Sequence, residues 1–138
     1  WEKAMPKESS LWRLIRDNSP KGIHWQRIES GMTASGIPDL NGCFQGTEVW
    51  VELKMVRGNQ LGLRPMQRAW LFNRAIAGGN CFVLAKKESK EIKIFKIAPE
   101  IRSTKALTEI EELNWNSTPI LSTKRPFNWQ RIFETLML

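Results

Sequence analysis

Asp39 follows Pro38, and Glu52 and Lys54 stand two apart in the otherwise apolar run VWVELKMV, residues 49–56. In an extended strand residues two apart share a face, so Glu52 and Lys54 point the same way. An acid pair beside a lysine suits hydrolysis of a phosphodiester. Two carboxylates can hold Mg²⁺ or Mn²⁺, which supplies a Lewis acid and an activated water. The ammonium steadies the charge that develops at phosphorus, or orients the water. The plainer alternative is an ion pair on one face of a sheet.

Whether Asp39 joins the pair depends on the turn between two strands, at about 38–44 and 48–56. Gly46-Thr47 fits a two-residue hairpin turn with glycine first, which pairs Gln45 with Glu48. Asn41 then faces Glu52 and Asp39 faces Lys54, with direct neighbours roughly 5 Å apart and diagonals roughly 7 Å apart. Val49, Val51 and Leu53 take the opposite face. A slip of one residue would break the cluster.

Other elements must carry these strands. PKESSLWRLIRD (6–17) reads as a helix with Pro6 at its first position and Leu11, Trp12 and Ile15 as its apolar stripe. Glu8 continues that stripe, at three, four and seven residues before those positions. It is either a third acid turned toward the site or a first-turn glutamate favoured by the helix dipole. IHWQRIE (23–29) is a candidate strand, and SGMTASGIP a loop. RGNQLGLR (57–64) is a polar loop expected to be mobile. A helix follows over 65–77, stopped by Gly78 and Gly79. CFVLA (81–85) and EIKIFKI (91–97) read as strands. The interval from Lys54 to Cys81 is long enough for a crossover, so the domain is α/β with a mixed sheet flanked by helices. In the last stretch, Trp129, Ile132, Phe133 and Leu136 fall at helical spacing, for packing on the body or on a second subunit.

The 138 residues suit one domain, with a core over about 6–97 and an extension over about 98–138. Net charge is +7, from 21 basic and 14 acidic side chains, and the first 100 residues hold 16 of the bases and 10 of the acids. A basic body with dispersed charge suits a polyanion such as nucleic acid. No apolar run approaches the roughly 20 residues that cross a membrane, and WEKAMPKESS is not a signal peptide, so a cytoplasmic location is expected. Cys43 and Cys81 have neither metal spacing nor a disulfide framework, and His24 is the only histidine. No P-loop, dinucleotide fingerprint or nucleophile elbow occurs. Of the seven tryptophans, Trp12, Trp50 and Trp70 sit in core patterns. Trp115 and Trp129 are candidates for the core, a partner surface or base stacking.

The succession KESSLW, GIPDL, VWVELKM and LRPMQRAWL, with AGGNCFVLA after it, resembles the PD-(D/E)XK nucleases. Within them it is most similar to the VRR-NUC group and the archaeal-type Holliday junction resolvases, over about residues 6–86. The resemblance implies a restriction-endonuclease-like core, αβββαβ, with a C-terminal helical extension. It implies catalysis by Glu8, Asp39, Glu52, Lys54 and Gln67, with Asp39, Glu52 and Glu8 as ligands of Mg²⁺ or Mn²⁺. Gln67, the helix-start glutamine, is otherwise a solvent-facing first-turn residue. QRIESG and ASG are similar to the segment preceding the PD motif in resolvases, which adds Arg27, Ser30 and Ser35 as contacts to the DNA backbone. Arg57 and Arg64 bracket the loop beside the proposed site and suit phosphates. The implied substrate is branched DNA, four-way junctions first. Two symmetric cuts by a one-site chain imply a homodimer, with the last helix as candidate interface. A stand-alone nuclease of this length would suit a phage or mobile element.

Overall fold

The computed structural model describes residues 7–29, 36–98, 110 and 112–138, with backbone alone at 7–9. The elements run α1 (Lys7–Asn18), β1 (His24–Arg27), β2 (Leu40–Phe44), β3 (Thr47–Val56), α2 (Pro65–Ile76), β4 (Asn80–Lys87), β5 (Glu91–Ile97), β6 (Leu121–Lys124) and α3 (Trp129–Met137). The strands form a six-stranded sheet whose spatial order is the chain order. Only β3 and β4 run parallel, and α2 is the crossover between them. The mixed α/β architecture is therefore as the sequence implies.

Alternation along the strands sorts the core into two layers. Val49, Val51 and Leu53 of β3 join Phe82 and Leu84 of β4 on one face, under Leu11 and Ile15 of α1 and Ile132, Phe133 and Leu136 of α3. Cys81, Val83 and Ala85 point to the other face, where Leu71 of α2, Phe95 and Trp115 close a second cluster. A central strand covered on both sides must be apolar at every position, which is why CFVLA carries no alternation.

The sheet departs from expectation in two places. The β2–β3 turn is Gln45-Gly46, not Gly46-Thr47: φ is 49° at Gln45 and 85° at Gly46, and Phe44 pairs with Thr47. A turn with both central residues at positive φ matches the twist of the flanking strands, and that gain outweighs the strain at a glutamine. Asn41 consequently faces Trp50 rather than Glu52. The slip is two residues, so every side chain keeps its predicted face. The second change is β6, which pairs with β5 and gives the extension a strand as well as a helix. Four residues at a sheet edge, LSTK, carry too little pattern to announce themselves.

α3 has the expected stripe, capped where the Asn128 side chain accepts the Arg131 N–H at 3.1 Å. Ile132, Phe133, Leu136 and Met137 are buried against the chain's own sheet, so that face is not available to a second subunit. The loop expected to be mobile is tied down. Leu61 and Leu63 are buried in it, and its Asn59 carbonyl accepts the Trp115 N–H at 2.8 Å. No helix among the described residues is long and apolar enough to cross a membrane.

Candidate active site

Glu52, at the middle of β3, is 2% exposed, and its side chain lies on the α2 face. Gln67, the third residue of α2 and 7% exposed, donates its Nε2–H to Glu52 Oε2 at 2.9 Å. Lys54 Nζ lies 3.4 Å from the same oxygen and donates to Gln67 Oε1 at 3.1 Å and to the Gly62 carbonyl at 3.2 Å. Three donors thus meet three acceptors, which fixes the ammonium. The Arg64 N–H completes the set by donating to Gln67 Oε1 at 2.9 Å. This is the return half of a capping box; a guanidinium has no acceptor for the other half. The amide orientation follows from its neighbours, since reversing Gln67 would turn its NH₂ toward an ammonium and a backbone N–H. Glutamine is therefore both the helix cap and the bridge between acid and lysine.

Asp39 is brought in from the other side. Its carbonyl accepts the Ile28 N–H at 2.7 Å, and its carboxylate Oδ2 accepts the Leu53 N–H at 2.8 Å, between Glu52 and Lys54. Gly36 sets the path of this segment. Its φ is +80°, and a Cβ there would lie 2.3 Å from the Met66 carbonyl oxygen. Only glycine lets the chain leading to Pro38-Asp39 press against the first turn of α2.

The electrostatics follow from the burial. Desolvation pushes the Glu52 carboxyl up to about 8, the nearby Asp39 charge adds to the rise, and Lys54 opposes both. Two acids facing one lysine leave surplus negative charge in a desolvated place. All the donors are hard oxygens, so the pair fits a divalent cation of the Mg²⁺ or Mn²⁺ kind, which keeps several waters and needs few protein ligands. Among the described residues no third acid, histidine or cysteine joins them.

The remaining candidates divide. Glu8 lies in the first turn of α1, and its side chain is outside the described residues. α1 packs on the opposite sheet face, but its N-terminal end reaches the carboxyl end of β3, where Ser10 shares a cavity with Met55, Val56 and Arg57. Ser30 and Ser35 fall outside the described residues. Arg27 is exposed at the end of β1, paired with Leu40 next to Asp39. Arg57 and Arg64 are exposed at the two ends of the loop that carries Gly62. His24 begins β1 opposite Cys43, at the far end of the β2 ladder from Asp39. Burial pushes the Cys81 thiol up to about 11, with nearby Arg74 opposing, so it is a packing group rather than a nucleophile. Trp115 is 4% exposed beneath Lys93 and Lys87, whose ammonium groups lie 4.4 and 5.4 Å from its ring centre. It belongs to the core and cannot stack on a base. Sequence reasoning missed the Gly62 carbonyl and the Gly36 close approach. The glycines themselves were the available signal for both.

No family model matches the chain, and no curated protein matches it by sequence. By structure it is similar to Hjc of Archaeoglobus fulgidus, a Holliday junction resolvase from an archaeal hyperthermophile. The two share 22% identity over 66% of this chain and 73% of that one, with a TM-score of 0.50. The likeness is one of fold.

Proposed function

We propose that this chain, built on a resolvase-like fold, is a metal-dependent DNA endonuclease that hydrolyses phosphodiester bonds in branched DNA, with the four-way junction as its first substrate. The observation that carries this reading is the convergence of Asp39, Glu52, Lys54 and Gln67 at the meeting of β2, β3 and α2. The order of GIPDL, VWVELKM and LRPMQ supports its kinship with the PD-(D/E)XK nucleases, the VRR-NUC group among them. Asp39 and Glu52 would hold Mg²⁺ or Mn²⁺, with Glu8 as a further carboxylate; the bound ion supplies Lewis acidity and an activated water. Lys54, held by Gly62 and Gln67, presents a fixed positive charge to the scissile phosphate. Gln67 positions the acid and the lysine relative to each other. Arg27, Arg57 and Arg64 engage backbone phosphates, together with Ser30 and Ser35. Two symmetric cuts require two copies of this single site, so the active form on a junction is a homodimer, joined through a surface other than the apolar face of α3. Such an enzyme would act in the cytoplasm.

The test is cleavage of a synthetic four-way junction, with linear duplex as control, in Mg²⁺, Mn²⁺ and EDTA, beside Glu52→Ala. Paired symmetric nicks that need both the metal and Glu52 are expected. Glu52-dependent nicking of a single strand at other branches would leave a one-site nicking or flap enzyme. Tight binding without cutting in either metal would leave a DNA-binding module.

A further inference from the structure

On the α1 face a separate cavity of about 370 Å³ opens between α1, the β4–β5 turn and the segment joining β6 to α3. Its walls are of two kinds. Lys86 and Arg125 supply the cationic side, and Ser89 also lines the cavity. Phe127 and Trp129 supply an aromatic side, their ring centres 6.0 Å apart and nearly perpendicular. Lys86 is partly buried, and both desolvation and the nearby Arg125 disfavour its charge. Among the described residues neither cation has a carboxylate within ion-pair distance; the three ion pairs found involve other side chains. A partly buried lysine beside an arginine, with no acid at ion-pair distance, is a place that favours an anion.

The combination selects the ligand. Phosphates of an intact duplex need only charge, and a convex surface offers it. An aromatic wall inside a concave, cationic cavity is useful to a base that has left the stack. The volume lies within the range of ordinary small-ligand pockets, enough for one nucleotide and too small for a duplex.

Its position connects it to the acid–lysine cluster. Lys86 pairs with Met55, the residue after Lys54, so the two lysines lie on neighbouring strands and opposite faces near the carboxyl end of the parallel pair. The cavity shared by Ser10, Met55 and Arg57 lies at this end too, and Glu88, beside Ser89, also lines it. A strand leaving the cluster past Arg57 would round the end of β3 and reach the Lys86–Arg125 pocket.

We propose that this pocket captures one unpaired nucleotide of the DNA strand adjoining the cut, its phosphate on Lys86 and Arg125 and its base against Phe127 and Trp129. The proposal rests on the nuclease reading above and adds a requirement to it: the bound branch must offer one unpaired nucleotide, which a four-way junction supplies only when a base pair beside its crossover opens. The selectivity then comes from Lys86 of the αβββαβ core together with the β6–α3 segment and the start of α3, which lie outside it.

The experiment measures fluorescence-anisotropy affinities in EDTA for three DNAs. These are a perfect duplex, the same duplex with a short single-stranded flap, and that flap with an abasic first nucleotide. Wild type, Arg125→Gln and Lys86→Gln are compared, with circular dichroism to verify folding. Wild type should favour the flap over the duplex by about tenfold, the scale of one stacked base. The abasic flap and each variant should erase most of that ratio. An equal loss on flap and duplex would make the pocket a general polyanion patch and overturn the proposal. So would an abasic flap that binds as well as the intact one, since an anion alone would then suffice. Glu52-dependent cleavage in a parallel Mg²⁺ assay, with neither variant changing the flap-to-duplex ratio, would sink the pocket and keep the nuclease. Failure of wild type to bind any of the three DNAs would sink the pocket, while the nuclease reading stands or falls on cleavage of the four-way junction.

Discussion

At the scale of single residues, the site is a compromise between burial and charge. Glu52 is nearly inaccessible, the proposed hold on a metal requires it ionised, and Asp39 makes ionisation harder. The sign of the stability effect follows. Its folded pKa, about 8, lies above the ordinary 4.5, so the metal-free fold gives up stability as pH rises from about 4.5 through about 8. Glu52→Gln should therefore flatten the fall in melting temperature over that window. Mg²⁺ should raise the wild-type melting temperature more at pH 8 than at pH 5, and should do little for the glutamine variant. Parallel pH profiles for the two proteins would contradict this. Lys54 plays a different part: its three acceptors hold it in place in the DNA-free fold. Lys54→Ala should lower the rate of cleavage by about 10²–10³-fold while changing DNA affinity little. Comparable losses in single-turnover rate and in affinity would make it a phosphate clamp.

At the scale of elements, the site depends on how closely α2 approaches the segment leading into β2. Gly36→Ala would place a methyl against the Met66 carbonyl and strain a positive φ. We expect a stability loss of about 1–3 kcal/mol in denaturant unfolding, together with weaker catalysis, because Gln67 sits on the displaced turn. A fully active, equally stable variant would show that the close approach is dispensable. Element by element, the sequence is informative where one face decides. Glu52 and Lys54 stand out because an otherwise apolar strand has no packing use for them, and α3 stands out through its 3.6-residue stripe. The hairpin turn was hidden because glutamine rarely adopts positive φ, and β6 because a four-residue edge strand has little pattern. The bridging role of Gln67 was open in the sequence, since a first-turn glutamine commonly faces water. Only the packing of α2 on β3 turns it inward.

At the scale of the whole molecule, a net charge of +7 and the exposed Arg27, Arg57 and Arg64 would make the proposed association with DNA an exchange of counterions. If those three arginines each neutralise one phosphate, affinity should drop about 40-fold between 50 and 200 mM salt, measured by anisotropy in EDTA. A flat response would count against nucleic acid as the partner. α3 adds a constraint on assembly, because its apolar face completes the chain's own core.

The coincidence of strand order with chain order bears on synthesis. Each strand can be added at the growing edge of the sheet as it leaves the ribosome, with no earlier strand displaced to admit it. Glu52, Lys54 and Gln67 are all translated before β4 gives β3 its parallel neighbour, so the acid–lysine cluster belongs to the first half of the chain. The apolar layer beneath α1 nevertheless stays uncovered until Ile132, Phe133 and Leu136 arrive. The nascent protein thus assembles its acid–lysine cluster early and acquires its last structural closure late, and α3 is the latch that separates a partly built sheet from a durable fold.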